Sequence, residues 1–503
     1  MVNERVRQQY LPILRTIGAG ILIGVGLLSP WLWIATLLGV AVHLYDLHQR
    51  SSVLRTTFAA GTTWLTASLI SIGWFWSTIP ITWLPIESLY IQILLVLIYW
   101  LTAALYLAAG GALFGLLFAV GTYLPLHRVV LLGSLPFLWV LSEIFGSLVF
   151  SIFTQGAASG VSIHFSFGYV GYALAQHGLF LELARVFGVY GLSWTLVALA
   201  TIVILPYTTY KPEPLLTKKI SVGVLLVILI TTPLSLPERS NPDAEPITVA
   251  VVTSRFDGSY RHDFTTRQTQ LLTGIESLTE RSLDYIVLPE DSRLFSTHQN
   301  YLLPQLQLRS LLGESVLIDS GRKETTAGTV LRGYVYTAAT NQLHRTDKQY
   351  LVPQGEYMPT LYTGVLKRFI AERTLTDITR NISYVPGALD KQDFPEHSPI
   401  ILFCFESVSP IGVRNIVNTT QHNIPFVAHP TSHAWFNNPD TLWHQLDTML
   451  RIQARWNNLP IVNAANMAPS KVYLPNGTII NTADMETAYH SLTVDIHLLQ
   501  ITP

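Results

Sequence analysis

Residues able to act as a nucleophile, a base and a cation occur in three separate stretches of this sequence. Cys404 is the only cysteine in the chain, and it ends a short apolar run. Glu290 follows a second apolar run, and Lys348 is followed by Glu356 in a segment rich in Pro and Gly. A thiol attacks carbonyl carbon effectively when a carboxylate takes its proton and a cation favours the thiolate. Together the three stretches supply the residue types that this chemistry needs.

The run that contains Cys404 is short enough for a buried β-strand at 400–404, in a segment that Pro410 closes. In strand geometry Cys404 and Glu406 project to the same face, so the carboxylate would lie beside the thiol or orient the group that activates it. A free cysteine also often packs in a core as a small, unreactive hydrophobic residue. This stretch alone leaves both interpretations open, because reactivity depends on the surroundings of the thiol.

Composition divides the 503-residue chain into two parts. Only 13% of its residues are charged, against about 25% in soluble globular proteins, and the deficit is concentrated before residue 236. We predict a multi-spanning transmembrane helical domain at 1–236 and an exposed, Pro-rich linker at 237–246. The mixed sequence at 247–503 has the character of a soluble domain, which would lie outside the membrane.

The first part contains seven apolar runs of spanning length, which predict a polytopic α-helical membrane bundle of about seven transmembrane helices. The runs lie at about 11–28, 31–47, 56–78, 89–122, 128–152, 186–207 and 218–236. With the amino terminus inside, seven crossings place the Lys and Arg residues of the loops on the cytoplasmic side. The domain at 247–503 would then lie on the extracytoplasmic face, whereas an even number of crossings would invert this orientation.

Two polar features of the membrane part stand out. Glu143 lies inside an apolar run, where a carboxylate either serves packing alone or faces a cavity with a functional role. The loop at 155–185 is too apolar for a solvated linker, and we expect it to lie at the outer membrane interface.

After residue 246 the periodicity predicts alternating strands and helices, and therefore a layered α/β or α+β domain. Predicted strands are 247–252, 284–288, 315–319, 329–338, 400–404, 426–428, 461–464 and 471–474. Predicted helices lie near 263–281, 300–313 and 440–456.

Several classes of function are excluded or disfavoured. The net charge of -1 and the lack of a basic stripe argue against a nucleic-acid partner. One cysteine excludes an internal disulfide framework and a cysteine-based zinc site. His429, His433 and His444 lack a recognisable ligand spacing, so we expect no metal and no organic cofactor.

Four motifs follow one another along the chain: Pro289-Glu290, Lys348 with Leu-Val-Pro-Gln-Gly-Glu-Tyr-Met-Pro at 351–359, Cys404-Phe405-Glu406, and His433-Ala-Trp435-Phe436. In this order they resemble the motifs of the carbon–nitrogen hydrolase (nitrilase) superfamily and, within it, of the apolipoprotein N-acyltransferase family. The membrane part is similar to that family at Trp139-Val-Leu-Ser-Glu143, Gly168-Tyr169 and Phe-Gly-Val-Tyr-Gly-Leu-Ser at 187–193. The resemblance covers nearly the whole chain.

This resemblance implies a four-layer αββα domain outside the membrane, resting on a helical bundle. It implies that Glu290 is the general base, that Cys404 is the nucleophile and that Lys348 stabilises the oxyanion. Glu356 and Glu406 would be supporting carboxylates.

The implied reaction is N-acylation of the α-amino group of the lipid-modified N-terminal cysteine of an apolipoprotein, through a thioester on Cys404. A phospholipid would be the acyl donor, a diacylglyceryl-modified apolipoprotein the acceptor, and the bacterial inner membrane the location. Phe405, Trp435, Tyr357 and Phe436 would line a lipid-facing entry, although Phe436 could equally be part of an ordinary aromatic core.

Two alternatives remain. The same residues would serve a membrane-anchored amidase of the nitrilase type, with water as the second nucleophile. A catalytically weak scaffold that binds lipid or lipoprotein is suggested by departures from the family pattern, such as Ser432-His433 in place of Asn-Asp. It is also suggested by residues 492–501, which are too short and too polar to form the family's final membrane helix.

Overall fold

The structure is a computed structural model of the chain. It describes residues 2–84, 86–124, 128–156, 159–208, 247–256, 264–276, 282–295, 302–387, 394–420, 422–437, 439–481 and 493–499. The predicted linker at 237–246 and the seventh apolar run at 218–236 lie outside the described residues.

In its described residues the first region contains six long helices, and each of the first six apolar runs contributes to one of them. Their bounds are α1 Val2–Gly26, α2 Trp33–His48, α3 Val53–Ser71, α4 Leu89–Tyr123, α5 Arg128–Phe153 and α6 Gly178–Thr208. Within the described part of the chain, three segments are long and apolar enough to cross a membrane: Leu89–Tyr123, Val130–Phe153 and Gly178–Tyr207. These segments make the first region a membrane-associated bundle, while the count of about seven spans stays a prediction.

Small residues allow close approach between the helices. A Cβ atom added at Gly111 of α4 would clash with the ring of Trp64 on α3, and one added at Gly115 would meet Ala60. Glycine at these positions lets the helices pack with their backbones close together, as is common in membrane bundles. Gly188 interrupts α6 with a φ of 59°, and a side chain there would clash with Trp456 of the second region.

The second region contains two β-sheets. Strand order is β11-β1-β2-β3-β4-β5 in the six-stranded sheet and β10-β9-β8-β7-β6 in the five-stranded sheet. The first sheet is built from β1 Ile247–Thr253, β2 Tyr285–Val287, β3 Val316–Thr325, β4 Gly328–Thr337, β5 Gln342–Asp347 and β11 Thr493–Leu499. The second contains β6 Ile400–Ile401, β7 Val427–Ser432, β8 Ile461–Asn466, β9 Lys471–Tyr473 and β10 Ile479–Asn481.

The two sheets pack face to face with helices on their outer sides. Val249 and Val251 of β1 share a core with Val462 of β8, between the sheets. On the outer face of the first sheet, Ala250 and Val252 contact helices α7 Phe264–Glu276 and α8 Leu302–Leu312. The outer face of the second sheet is covered by α11 Gly412–Thr419 and α12 Asp440–Asn457. The order of layers is therefore helix, sheet, sheet, helix, with α9 Thr360–Leu366 and α10 Glu372–Asn381 beside α4.

The strand predicted at 400–404 is wrong in its second half. Only Ile400 and Ile401 form β6, and Cys404 begins the 3₁₀ turn Cys404–Val408. The carboxylate of Glu406 accepts a hydrogen bond from the backbone N–H of Phe403, which closes the turn. The expectation that Cys404 and Glu406 share one strand face therefore fails, because the chain has left strand geometry before both residues.

The carboxyl-terminal segment was predicted to be too short and polar to span a membrane. Within it, residues Thr493–Leu499 form β11, which pairs antiparallel with β1. Strands β5 and β10 are likewise absent from the sequence predictions, because β5 is mostly polar and β10 has only three residues.

The loop predicted at 155–185 lies between the helices and the sheets in its described part, and α6 already begins at Gly178. Phe165 and Phe167 are buried in the core of the helical region. Ser166 Oγ donates a hydrogen bond of 2.6 Å to the carbonyl oxygen of Val408, and His164 Nδ1 lies 2.8 Å from Ser409 Oγ. The loop therefore joins the helical region to the turn that carries Cys404.

Candidate active site

Three ionisable side chains meet at one edge of the six-stranded sheet. Glu290 lies in the turn after β2, Lys348 directly follows β5, and Glu356 lies in the loop after Lys348. Lys348 Nζ donates hydrogen bonds to Glu356 Oε1 at 2.7 Å and to Glu290 Oε1 at 3.2 Å. The second oxygen of Glu356 accepts a hydrogen bond from the backbone N–H of Val352 at 2.8 Å. The ammonium group is thus fixed between two carboxylates.

Lys348 is buried, with 1% of its surface exposed. Burial alone would lower the pKa of the ammonium group, but the charges of Glu290 and Glu356 outweigh that effect and raise the pKa of Lys348 well above its usual value. The side chain therefore keeps its positive charge. In a site without water, such a charge can stabilise an oxyanion far better than an exposed lysine can.

Glu290 has the properties of a proton acceptor that works near neutral pH. Burial raises the pKa of Glu290 to about 7, the charge of Lys348 opposes this shift, and the charge of Glu356 adds to it. A carboxyl group with such a pKa can accept and return a proton at physiological pH. The pKa of the Cys404 thiol is raised by burial and by the charge of Glu290, while Lys348 opposes both. The thiol is therefore protonated at rest and needs a base.

The thiol of Cys404 lies at the carboxyl ends of the parallel strands of the second sheet. Its Sγ atom is 4.0 Å from the backbone oxygen of Ser432, the last residue of β7. The backbone N–H of Glu290 donates a hydrogen bond of 3.4 Å to the carbonyl oxygen of Thr431 in the same strand. The edges of the two sheets therefore meet where Glu290, Lys348 and Cys404 lie.

Glu406 supports the site through the backbone rather than by contact with the thiol. Its Oε1 atom accepts hydrogen bonds from the backbone N–H groups of Gln349 at 2.7 Å and Tyr350 at 3.2 Å, and Oε2 accepts one from Phe403 at 2.9 Å. Burial raises the pKa of Glu406, and the hydrogen bonds from Gln349 and Phe403 oppose that shift.

Two buried polar residues that the sequence motifs did not single out as parts of the site hold the backbone of Cys404. His429 Nε2 lies 3.2 Å from the carbonyl oxygen of Cys404, and His429 Nδ1 lies 2.9 Å from the amide nitrogen of Asn463. Because the amide nitrogen donates, Nδ1 accepts, and the ring carries its proton on Nε2. Burial lowers the pKa of His429 to about 3, so the ring is neutral. The parallel register of β7 and β8 pairs these two residues, which no spacing along the chain indicates.

An apolar cavity of about 150 Å³ opens beside Cys404. Both regions of the chain contribute to its wall, and the helical region supplies Trp74, Phe75, Trp83, Leu95 and Tyr99. Among the predicted entry residues, Phe405, Trp435 and Phe436 line this cavity. The Trp435 ring stacks on Trp83 at 5.8 Å between centroids, and Phe436 packs edge-on against Trp74 at 5.5 Å. Phe436 is thus both a cavity residue and part of an aromatic cluster.

Tyr357 lines a second, more polar cavity of about 380 Å³ that borders the loop at 159–165. Its hydroxyl group donates a hydrogen bond of 2.9 Å to the carbonyl oxygen of Thr154. Phe405 contributes to the wall of both cavities. The segment that begins at Cys404 therefore lies between a cavity suited to hydrocarbon and one with several hydroxyl groups.

Glu143, predicted as a possible cavity residue, is not among the residues that line either cavity. Its Oε1 atom accepts hydrogen bonds from Trp139 Nε1 at 3.1 Å and from the backbone N–H of Val170 at 2.8 Å. The structure thus places it inside the helical bundle, where it fixes the 3₁₀ turn Val170–Leu174 against α5. Across the described residues, no group of three or more His, Cys, Asp or Glu side chains is arranged to hold a metal ion.

No protein-family profile matches the chain. Known proteins nevertheless align with most of it, and the following three are each named apolipoprotein N-acyltransferase. The protein of Geobacter metallireducens is 24% identical over 416 residues, which cover 74% of this chain and 76% of the relative. The protein of Nitrosomonas europaea is 24% identical over 86% of this chain and 78% of its own length. The protein of Haemophilus ducreyi is 24% identical over 90% of this chain and 84% of its own length.

Solved structures align with about half of the chain. The NitFhit protein of C. elegans has a TM-score of 0.34 and 13% identity, over 50% of this chain and 61% of that protein. A glutamine-dependent NAD(+) synthetase from Cytophaga hutchinsonii has a TM-score of 0.29 and 9% identity, over 50% of this chain and 42% of that protein. The sequence relatives confirm the resemblance seen in the motifs: over most of its length, the chain is similar to the apolipoprotein N-acyltransferases.

Proposed function

We propose that this chain is a membrane-bound N-acyltransferase. It would move an acyl chain from a phospholipid to the α-amino group of a diacylglyceryl-modified N-terminal cysteine of an apolipoprotein. The observation that carries the proposal is the position of Cys404. Its thiol is near enough to Glu290 and Lys348 for their charges to shift its pKa, and it borders an apolar cavity. An amphipathic substrate can put hydrocarbon in that cavity and an ester carbonyl group at the thiol. The names of the sequence relatives agree with this activity.

In the first half-reaction Glu290 takes the proton of the Cys404 thiol while Sγ attacks the ester carbonyl carbon of the phospholipid. Negative charge develops on the carbonyl oxygen, and the ammonium group of Lys348 stabilises it, by about 3–4 kcal/mol if it acts like an oxyanion-hole donor. The tetrahedral intermediate collapses, the glycerol oxygen leaves with the proton held by Glu290, and lysophospholipid departs. An acyl thioester then remains on Cys404.

In the second half-reaction the amine of the lipoprotein attacks the thioester carbonyl carbon. Glu290 accepts a proton from the attacking nitrogen and returns it to the Cys404 sulfur as the carbon–sulfur bond breaks. A thioester keeps the acyl group activated for aminolysis, so water must be kept away from it. The aromatic wall formed by Phe405, Trp435 and Phe436 supports this requirement. Glu356 orients Lys348, and Glu406 holds the turn.

We further propose the topology that fits this chemistry. Residues 1–236 would form a seven-span domain in the bacterial inner membrane, 237–246 a linker, and 247–503 the catalytic domain on the extracytoplasmic face. One proposed substrate is a phospholipid and the other carries a diacylglyceryl group, and the cavity draws part of its wall from α4. Single engineered cysteines in a Cys404→Ala background, labelled in intact cells with a membrane-impermeant reagent, would test the orientation.

The direct test is peptide mass spectrometry of the purified chain after incubation with phospholipid. We expect an acyl adduct on the Cys404 peptide that hydroxylamine removes. Cys404→Ala and Glu290→Gln should both abolish it. Glu314→Gln is the matched control, because Glu314 is an exposed carboxylate far from Cys404 in sequence, and it should leave the yield unchanged.

Addition of a diacylglyceryl lipopeptide should then discharge the adduct and yield an N-acylated peptide. Release of free fatty acid at the same rate with and without lipopeptide would instead indicate an amidase-type hydrolase. If neither an adduct nor fatty acid forms with several headgroups, the proposed activity is wrong and a binding scaffold is favoured.

A further inference from the structure

His433 lies in the wall of the apolar cavity beside Cys404. It directly follows β7, and the residue before it, Ser432, has its backbone oxygen 4.0 Å from the sulfur of Cys404. His433 is 7% exposed, so its ring is almost completely withdrawn from solvent. The ring is therefore a polar group in an apolar wall, one residue from the reacting centre.

The tautomer of His433 follows from its neighbour Trp443 on α12. Trp443 Nε1 donates a hydrogen bond of 3.2 Å to His433 Nδ1. An indole nitrogen can only donate, so Nδ1 accepts and carries no proton. Burial lowers the pKa of His433 to about 4, and the charge of Lys471 adds to that effect. The neutral ring therefore holds its single proton on Nε2.

Nε2 of His433 makes no hydrogen bond in the part of the chain that the structure describes, and it is not among the side-chain atoms that are completely buried without a partner. A ligand in the cavity can therefore compete with water for this N–H group. The other histidine in the same wall differs in this respect, because His429 uses Nε2 for the carbonyl oxygen of Cys404 and Nδ1 for Asn463. A donor in an apolar wall that no protein group occupies is suited to a ligand that brings an acceptor.

The chemistry of the wall restricts the acceptor. No Lys or Arg is among the lining residues, so a phosphate or carboxylate would enter without a counter-charge. A peptide amide would bring a donor of its own that also needs a partner. An ester carbonyl oxygen accepts a hydrogen bond, carries no charge and is attached to hydrocarbon.

We propose that His433 is a specificity-determining residue whose Nε2–H group donates a hydrogen bond to an ester carbonyl oxygen of a glycerolipid bound in this cavity. The inference rests on the proposed function, because that function supplies a glycerolipid. The ester has two possible sources, the ester bond of the phospholipid donor that is not cleaved and the diacylglyceryl group of the lipoprotein acceptor.

Native mass spectrometry of the full-length chain in detergent tests this proposal by lipid titration. The protein carries Cys404→Ala, so that binding is measured without chemistry. The donor arm compares diester phosphatidylethanolamine with its diether analogue, which lacks both carbonyl groups. The acceptor arm compares a diacylglyceryl lipopeptide with its dialkylglyceryl analogue. His433→Phe removes the donor at similar size, and His433→Gln retains an N–H group near the position of Nε2.

We expect His433→Phe to weaken binding of the ester lipid about tenfold in one arm, and that arm identifies the source. His433→Gln should bind within about threefold of the parent, and the ether lipid should bind all variants alike. Trp443→Phe removes the hydrogen bond that keeps Nδ1 unprotonated, so the ring proton can move from Nε2 to Nδ1. This variant should weaken only the binding of the ester lipid, by a smaller factor than His433→Phe does. Thermal unfolding of each variant shows that it is folded.

Equal weakening of ester and ether lipids by His433→Phe would overturn the proposal and leave the ring a shape-filling residue. Unchanged binding of both lipids in both arms would overturn it as well. If His433→Phe does not fold, Trp443→Phe decides the result in the same way, because it too should weaken binding of the ester lipid and leave the ether lipid unaffected. Two measurements separate this inference from the proposed function. If the unmodified chain never forms an adduct on Cys404 but the His433→Phe variant loses the preference for the ester lipid, the acyl transfer is refuted and the binding site is supported.

Discussion

Glu406 and Gln349 are joined by a hydrogen bond of 2.7 Å from the backbone N–H of Gln349 to the carboxylate. Gln349 follows Lys348, and the same carboxylate accepts a hydrogen bond from Phe403, which precedes Cys404. One buried side chain therefore connects the loop that follows Lys348 to the turn that carries Cys404. Such a connection fixes the relative position of two groups that are distant in the sequence.

We expect Glu406→Gln to weaken this connection, because an amide has one acceptor oxygen where the carboxylate accepts three hydrogen bonds. The expected loss of stability is about 1–3 kcal/mol, the cost of buried N–H groups left unpaired. Adduct formation on Cys404 should slow about tenfold or more. Denaturant unfolding and the time course of the adduct measure the two effects, and Glu372→Gln on the exposed side of α10 is the control. Equal rates for both variants would contradict a positioning role.

The rate of adduct formation should depend on pH through Glu290. Its pKa is raised to about 7, so the carboxylate that we propose as the base for Cys404 is present above that pH and lost below it. Activity should therefore fall as pH drops through about 7. The raised pKa of Cys404 keeps the thiol protonated, so no second limb is expected near neutrality. Single-turnover rates from pH 5 to 9 measure the profile.

Glu356→Gln gives the control for that assignment. The negative charge of Glu356 helps to raise the pKa of Glu290, so its removal should move the acid limb to lower pH. A limb that stays in place in this variant, or one that persists in Glu290→Gln, would show that another group titrates.

Lys348→Met should be strongly destabilising. The ammonium group is the shared partner of Glu290 and Glu356, and its removal leaves two buried carboxylates together. Breaking a buried ion pair in this way costs about 3–5 kcal/mol. Addition of Glu290→Gln and Glu356→Gln should recover much of the unfolding free energy without restoring adduct formation. If the triple variant were no more stable than Lys348→Met, the cost would lie elsewhere.

Gly355→Ala should disturb the cavity wall without a change in charge. A Cβ atom at this position would clash with the ring of Trp435, which stacks on Trp83. We expect a loss of about 1–3 kcal/mol from overpacking and at least a fivefold slower reaction with phospholipid. Gly364→Ala in α9 is a matched control, because a Cβ atom there meets nothing within 4 Å. Trp435→Leu should relieve the clash in a double variant, and the absence of any coupling between the two changes would argue against this packing.

The division into apolar helices followed by sheets could be predicted from the sequence. Hydrophobic runs and period-two alternation depend on residues near each other in the chain, and β1 and β8 begin where their patterns begin. The prediction at Cys404 was wrong because the side chain of Glu406 turns back on the backbone and ends the strand. An apolar run alone contains no information about that hydrogen bond.

The residue types proposed for the chemistry can be read from the sequence, because Cys404 is the only thiol and motifs point to Glu290 and Lys348. Their surroundings depend on how the chain folds. The pairing of His429 with Asn463 depends on the register of two parallel strands, and the wall of the cavity depends on α4 meeting the second sheet. Such contacts join residues that are far apart along the chain. Their positions follow from the packing of whole layers, which no local pattern contains.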